Sequence, residues 1–309
     1  MVALSKNFVL VTRFIRKLNG SSEPILAEAS DGHLYVVKFT NNVLGPNTSF
    51  NDAMGTELYK ACGLPVPGWR PLYVCDTFVD QNPACWLGGK DGLLGHERPR
   101  IGLAFGSRFL GGDGINLLDI TAGINYRRIR NRMQLWTSWL VDACALHADG
   151  RQFVFRERAD GLFDVVFIDH GNMFGGPFGG ITPRPTFSRI WNPTIYPDLT
   201  EKDREKIVSR LKSFNPEKLW QRMTKLPEQW LSQMELNRFE TAMDNLSSVK
   251  LVEDTLDLLT KAQQRWIEER EQHKGKTEDL FPALFPGFKF WWQQEGSGEA
   301  GGDFARHAA

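Results

Sequence analysis

Apolar and polar residues alternate along FVLVTRFIRKL (8–18), and again along ILAEAS and HLYVVKF, the latter pair joined by Asp31-Gly32. A period of two sends successive side chains to opposite faces, so these stretches predict strands, and Asp-Gly predicts a tight hairpin between the second and third. A small-residue loop, NGSSEP, separates the first strand from the second. Residues 50–62 (FNDAMGTELYKAC) carry helical spacing and stop at Gly63, with Pro65 and Pro67 beyond. PLYVCDTFV (71–79) and IGLAF (101–105) predict short strands, with breaks at Gly106-Ser107 and Gly111-Gly112-Asp113-Gly114.

From about residue 115 the pattern turns helical. Ile129, Met133, Trp136, Leu140 and Ala143/Cys144 recur every three or four residues and predict one helix over 126–147 with a buried face. A hairpin follows, RQFVFRE and LFDVVFIDHG around Ala159-Asp160-Gly161. The Gly/Pro/aromatic stretch 171–197 is too long for a mere connector and predicts a functional loop. Helical periodicity resumes to about Gln272, and GSGEAGGDFARHAA predicts a disordered end. The order of elements is therefore bilobal: an N-terminal β-rich part with one helix, then a helical part holding one hairpin.

Composition narrows the class. The chain has 309 residues, 41% of them hydrophobic and 24% charged, which excludes an intrinsically disordered protein. Its 37 basic residues equal its 37 acidic ones, a balance that argues against a dedicated nucleic-acid binder. Cys62, Cys75, Cys85 and Cys144 show no C-x-x-C spacing and predict reduced thiols rather than a zinc site or a disulfide framework. Charges at Lys6, Arg13, Arg16 and Lys17 interrupt the first apolar residues, and nowhere do 18 apolar residues run together. The expectation is a cytoplasmic protein without a membrane partner.

Three features in order carry chemistry. Gly20, Ser21 and Ser22 form a loop between strands whose backbone N–H groups can cradle phosphate, although Asn-Gly is also an ordinary hairpin turn. Lys38 ends an apolar strand at the same end as that loop, where an ammonium suits contact with phosphates. Asp52 and Glu57 on the following helix could each orient it, but they lie about 140° apart around a helix, so only one can face it. Last, His147-Ala148-Asp149-Gly150-Arg151-Gln152 enters the hairpin and Asp169-His170-Gly171 leaves it. Two carboxylates at one end of a hairpin allow one to take a proton from a hydroxyl while the other holds Mg²⁺ against phosphates.

With these residues the sequence resembles the HipA-like kinase family, relatives of the HipA toxin kinases and distantly of phosphoinositide and protein kinases. The resemblance rests on NGSSEPILAEASDGHLYVVKF, ELYKACGLPVP, WLVDACALHADGRQFVF and VVFIDHGNMF, within about 10–175. It implies an α+β, bilobal, protein-kinase-like fold: a small antiparallel β N-lobe (1–110), a mainly helical C-lobe (111–275) and a partly disordered tail (276–309). It implies ATP and Mg²⁺ as cofactors and a protein Ser/Thr hydroxyl, or the chain's own (Thr182, Thr186, Ser188, Thr194), as acceptor. By the same resemblance Gly20, Ser21 and Ser22 cover the phosphates and Lys38 contacts them. Asp149 is the catalytic base, preceded by His147, and Arg151 contacts the transferring phosphate. Asp169 holds the metal, Phe105 to Phe109 with Gly106 meet adenine, and 171–197 is the activation loop.

Two departures stand out. The family's second metal ligand is an Asn five residues after the base; that position is Val154 here, and Gln152, three residues on, is the available amide. Asn51-Asp52 stands where the family tends to have Asn-Glu. These departures keep a nucleotide-binding pseudokinase in view as an alternative. A metal-dependent phosphohydrolase built on His147, Asp149, Asp169 and His170 is a further one. The runs at 111–114 and 175–180 match neither G-x-G-x-x-G nor a P-loop and read as loop glycines. Arg127, Arg128, Arg130 and Arg132 read as the solvated face of the helix start.

Overall fold

The computed structural model describes residues 8–45, 47–88, 97–111, 117–118, 126–150, 152–176 and 195–272. Five strands form the N-terminal sheet: β1 (Val9–Lys17), β2 (Ile25–Ala29), β3 (Leu34–Lys38), β4 (Trp69–Val74) and β5 (Gly102–Arg108). Their order is β1-β2-β3-β5-β4, and a parallel contact of Val9 with Leu72 and Leu10 with Tyr73 closes them into a barrel. The antiparallel sheet expected from the sequence is thus corrected to a closed barrel with one parallel pair. Register shifts between Val11 and Arg13 and between Phe14 and Arg16 bend β1 enough for its start to reach β4. Val11, Ile25, Val37, Phe39, Leu72 and Ala104 are among the residues filling the interior.

Helix α1 (Asn47–Ala61) leaves the barrel after Lys38 but does not share its core. Phe50, Met54, Leu58 and Tyr59 join the larger core, built around α3 (Met133–Cys144), α6 (Gln233–Ser247) and α7 (Val249–Gln272). Helices α4 (Glu201–Lys212) and α5 (Pro216–Met223) complete that layer, α4 behind a capping box of Thr200 and Asp203 and α5 behind Asn215. A hairpin of β7 (Gln152–Glu157) and β8 (Phe163–Ile168), with the short β6 (Leu117–Leu118) beside it, interrupts the helices.

Three local expectations change. Residues 76–81 form helix α2 rather than the end of a strand, since Asp76 opens a first turn that buries Phe78 and Val79. β5 runs through the expected break at Gly106-Ser107: an added Cβ on Gly106 would lie 2.4 Å from Leu72 Cδ1, so the glycine admits barrel packing. The helix expected over 126–147 begins only at Met133. Before it, Arg128 donates to Gly161 O and stands over the Phe163 ring, Arg130 pairs with Asp164 at 2.9 Å, and Arg132 donates to Ile195 O. Arg127, Arg128 and Arg130 are exposed as expected, but they precede α3, and Arg128, Arg130 and Arg132 bond to the hairpin and to Ile195. The four cysteines are free thiols, and no helix among the described residues is long and apolar enough to cross a membrane.

Candidate active site

Strand register brings the first two chemical features together. Lys17 pairs with Ile25 and Ile25 with Val37, so the loop between β1 and β2 lies one row further on, beside Lys38. Within that loop Leu18 N–H donates to Pro24 O at 2.8 Å and Glu23 N–H to Gly20 O at 3.0 Å. Gly20 adopts φ +145°, which a side chain would resist. The N–H groups of Gly20, Ser21 and Ser22 make no hydrogen bond among the described residues, leaving consecutive donors for an anion.

Lys38 is the centre of the site. It is buried, and its Nζ donates to Asp52 Oδ2 and Oδ1 (2.8 and 3.1 Å) and to Asp169 Oδ1 (2.8 Å). Burial works against its charge, but the two carboxylates outweigh that and hold its pKa above the ordinary lysine value. Burial raises the Asp52 carboxyl to about 6, against the opposing pull of Lys38 and of the His170 N–H, which donates to Asp52 Oδ1 at 3.0 Å. Of the two helix acids, Asp52 therefore meets the lysine. Glu57 is corrected: one turn and a half away, it accepts from Trp69 Nε1 at 2.9 Å and faces Arg222 at 3.7 Å.

Asp169 follows β8 with φ +58°, a left-handed conformation that turns its carboxylate back to Lys38. Gly171 permits the same approach, because a Cβ there would lie 3.2 Å from Asp52 Oδ2. Gly55 does so on α1, where a Cβ would stand 2.6 Å from His170 Cβ. Gln152 opens β7 directly opposite Ile168 and donates from Nε2 to Asp169 Oδ2 at 2.8 Å. Val154 lies inside the hairpin against Val166, because the loop before β7 is short. The amide beside Asp169 is thus Gln152, and the fifth residue after Asp149 lies within the strand pairing instead.

Asp149 lies on the loop after α3, where backbone bonds from Ala148 N to Asn172 O and from Gly175 N to Leu146 O hold it beside the segment after Asp169. Its Oδ1 accepts from Gly150 N at 2.7 Å, and Asn172 Nδ2 stands 3.5 Å from its Oδ2. His147 turns its ring Nδ1 to the Asp149 carbonyl rather than to solvent. Two residues without a role in the sequence reading belong here. Asn51 donates to Gly171 O at 2.9 Å, fixing the turn after Asp169, and Asn172 spans the two acids' segments. Asn51 adjoins Asp52 and Asn172 lies three residues after Asp169, and that nearness is the signal that could have found them.

Other expectations move or fall outside the described residues. Phe105 pairs with Lys38 across the sheet, but its ring is buried and stacks on Trp69 at 5.8 Å, so it is not offered to adenine. Gly106 is packed under Leu72, as above. Arg151, Thr182, Thr186, Ser188, Thr194 and the tail 276–309 lie outside the described residues. Among the described residues no three His, Cys, Asp or Glu side chains converge as a metal cluster. His147 and His170 are buried, the latter with its ring 4.5 Å from that of Tyr59, so the four-residue hydrolase site is not assembled.

A magnesium ion needs few protein ligands when phosphates and water supply the rest. The donor set fits that: the Asp169 side chain keeps 29% exposure, and the Gln152 amide adjoins it.

No protein-family model matches the chain, and no curated protein sequence matches it. Among solved structures it is similar to the Helicobacter pylori proinflammatory kinase CtkA, with a TM-score of 0.53 and 11% identity, covering 82% of this chain and 97% of that one. A Golgi casein kinase with Mn/ADP bound has a TM-score of 0.45 and 12% identity, covering 81% of this chain and 73% of its own. The likeness to CtkA shows a kinase-like fold.

Proposed function

We propose that the chain is a kinase of the HipA-like type, moving the γ-phosphate of ATP to a protein Ser or Thr hydroxyl, or to one of its own. The observation that carries this reading is Lys38 held between Asp52 of α1 and Asp169 after β8. A lysine so oriented contacts phosphates only when helix and metal segment are both in place, which is the arrangement phosphoryl transfer demands. The motif order within 10–175 and the fold shared with a kinase support it. The free N–H groups of Gly20, Ser21 and Ser22 would receive the phosphates, Lys38 would neutralise them, and Asp149 would accept the proton of the attacking hydroxyl. Asp169 with Gln152 would hold Mg²⁺, which when bound draws charge from the phosphate oxygens. Free thiols fit a cytoplasmic setting, and the balanced charge gives no basis for a nucleic-acid partner.

Incubation with γ-labelled ATP, Mg²⁺ and a mixture of acceptor proteins is expected to label protein, and Asp149→Asn to cut the label roughly 10²–10⁴-fold, the span of general-base effects. Nucleotide binding without any transfer would favour the pseudokinase alternative, whose support is the amide of Gln152 presenting its NH₂ to Asp169. Absence of both removes the kinase reading.

A pH prediction follows from Asp52. Its folded pKa, about 6, lies above the ordinary carboxyl value of 3.8, so the fold binds the proton more readily than the unfolded chain. Stability from this group therefore declines as pH climbs from about 4 to 6 and is not lost on acidification. The raised Lys38 likewise contributes fully below its ordinary value of 10.5. Transfer should thus fall as pH drops through about 6, when Asp52 ceases to be a charged acceptor, while this group's contribution to the Tm rises rather than falls. An acid limb that persists unchanged in Asp52→Asn would refute the assignment.

A further inference from the structure

We propose that Glu23 is a positioning residue that holds the Gly20–Ser22 loop in its phosphate-receiving shape by latching it to the chain at 86–88. The inference deepens the kinase reading above and rests on it.

Both Glu23 carboxylate oxygens accept from Gly88 N–H, at 3.1 and 3.2 Å. The same carboxylate forms an ion pair with Lys17, and Lys17 Nζ donates to Trp86 O at 2.6 Å. Lys17 and Glu23 stand at the two ends of the loop, so both ends are tied to one short segment. That segment is itself anchored. Cys85 and Leu87 are buried in the barrel core, and Leu87 exchanges two backbone hydrogen bonds with Glu97 (2.9 and 2.7 Å). Asn41 Nδ2 in turn donates to Glu97 Oε1 at 2.8 Å. The anchor belongs to the long connection between β4 and β5, which the barrel needs only as a turn.

Glu23 adopts φ +47°, a left-handed conformation for which glycine or asparagine is the usual choice. A glutamate persists there because its side chain is committed to Gly88 and Lys17, and backbone conformations of this kind mark places where the surroundings dictate geometry. The consequence falls one residue away: the loop bond from Glu23 N–H to Gly20 O closes the turn that leaves the N–H groups of Gly20, Ser21 and Ser22 unused. The charge of Glu23 would repel phosphate, but the Lys17 ammonium cancels it. A loop with a single glycine thus gains by external pinning the fixed shape that reduces the ordering cost of binding.

The test measures mant-ADP affinity with Mg²⁺, ATP kinetics and amide hydrogen exchange in the full chain, Glu23→Ala and Glu23→Gln. Glu23→Ala is expected to speed exchange at 18–24 and at Gly88, to weaken mant-ADP roughly tenfold, and to raise KM for ATP far more than it lowers kcat. Glu23→Gln, which keeps an acceptor for Gly88, should recover most of the affinity. A residue that merely stabilises the barrel would lower the Tm and leave affinity unchanged. Unaltered exchange at 18–24 in Glu23→Ala overturns the latch, and faster exchange with unaltered affinity overturns the positioning role. Should the unsubstituted chain bind no mant-ADP, the kinase reading fails and the positioning role with it, while exchange still reports on the latch.

Discussion

Asp169→Asn should yield a folded protein whose phosphate transfer is reduced roughly 10³-fold or more, because a metal holding two phosphates is worth several kcal/mol in the transition state. The substitution fits the backbone: Asp169 sits at φ +58°, and asparagine tolerates the left-handed region better than most residues. The fold should hold, since Lys38 keeps both oxygens of Asp52 and the new amide oxygen can still accept from it. The charge needed by a divalent cation is what disappears, because Gln152, the neighbouring group, is neutral. The measurement pairs labelled-phosphate transfer with mant-ADP affinity at varied Mg²⁺. Transfer within about tenfold of the unsubstituted chain, or undiminished dependence of affinity on Mg²⁺, would remove Asp169 from the metal site.

The elements with strict periodicity were readable from the sequence: β1 to β3, α1, and the β7–β8 hairpin all lie where alternation or helical spacing placed them. What tertiary packing decides was not. Barrel closure depends on two shifted pairings in β1 that no alternation reveals. Gly106 reads as a break because glycine usually marks one, yet here it makes room for Leu72 across the strand. Phe105 lies on an expected strand, but which face of β5 it takes depends on Trp69, stacked on it, and on Trp230 behind Trp69. The choice between Asp52 and Glu57 needed the rotation of α1, which its mixed burial leaves open in one dimension. Asn51 and Asn172 act through backbone carbonyls and a loop that meet only in three dimensions.

Lys38→Met tests the site from the opposite side, through stability. Methionine fills the stem's volume, so packing changes little. The loss is electrostatic: Asp52, with a side chain 2% exposed, and Asp169, at 29%, would face each other without their shared cation. Breaking a buried ion pair by removing one partner costs about 3–5 kcal/mol, because a charge is left uncompensated or must take up a proton. The double variant Lys38→Met/Asp52→Asn removes that stranded charge while keeping an oxygen to accept from the His170 N–H. It should recover roughly half of the lost stability in denaturant unfolding, and no phosphate transfer, since no lysine then neutralises and aligns the phosphates. Two single-variant costs that merely add would show that Lys38 and Asp52 do not share one interaction. Recovery of stability without recovery of transfer would separate two roles of the lysine: compensating a buried carboxylate in the fold, and aligning a nucleotide in the cleft.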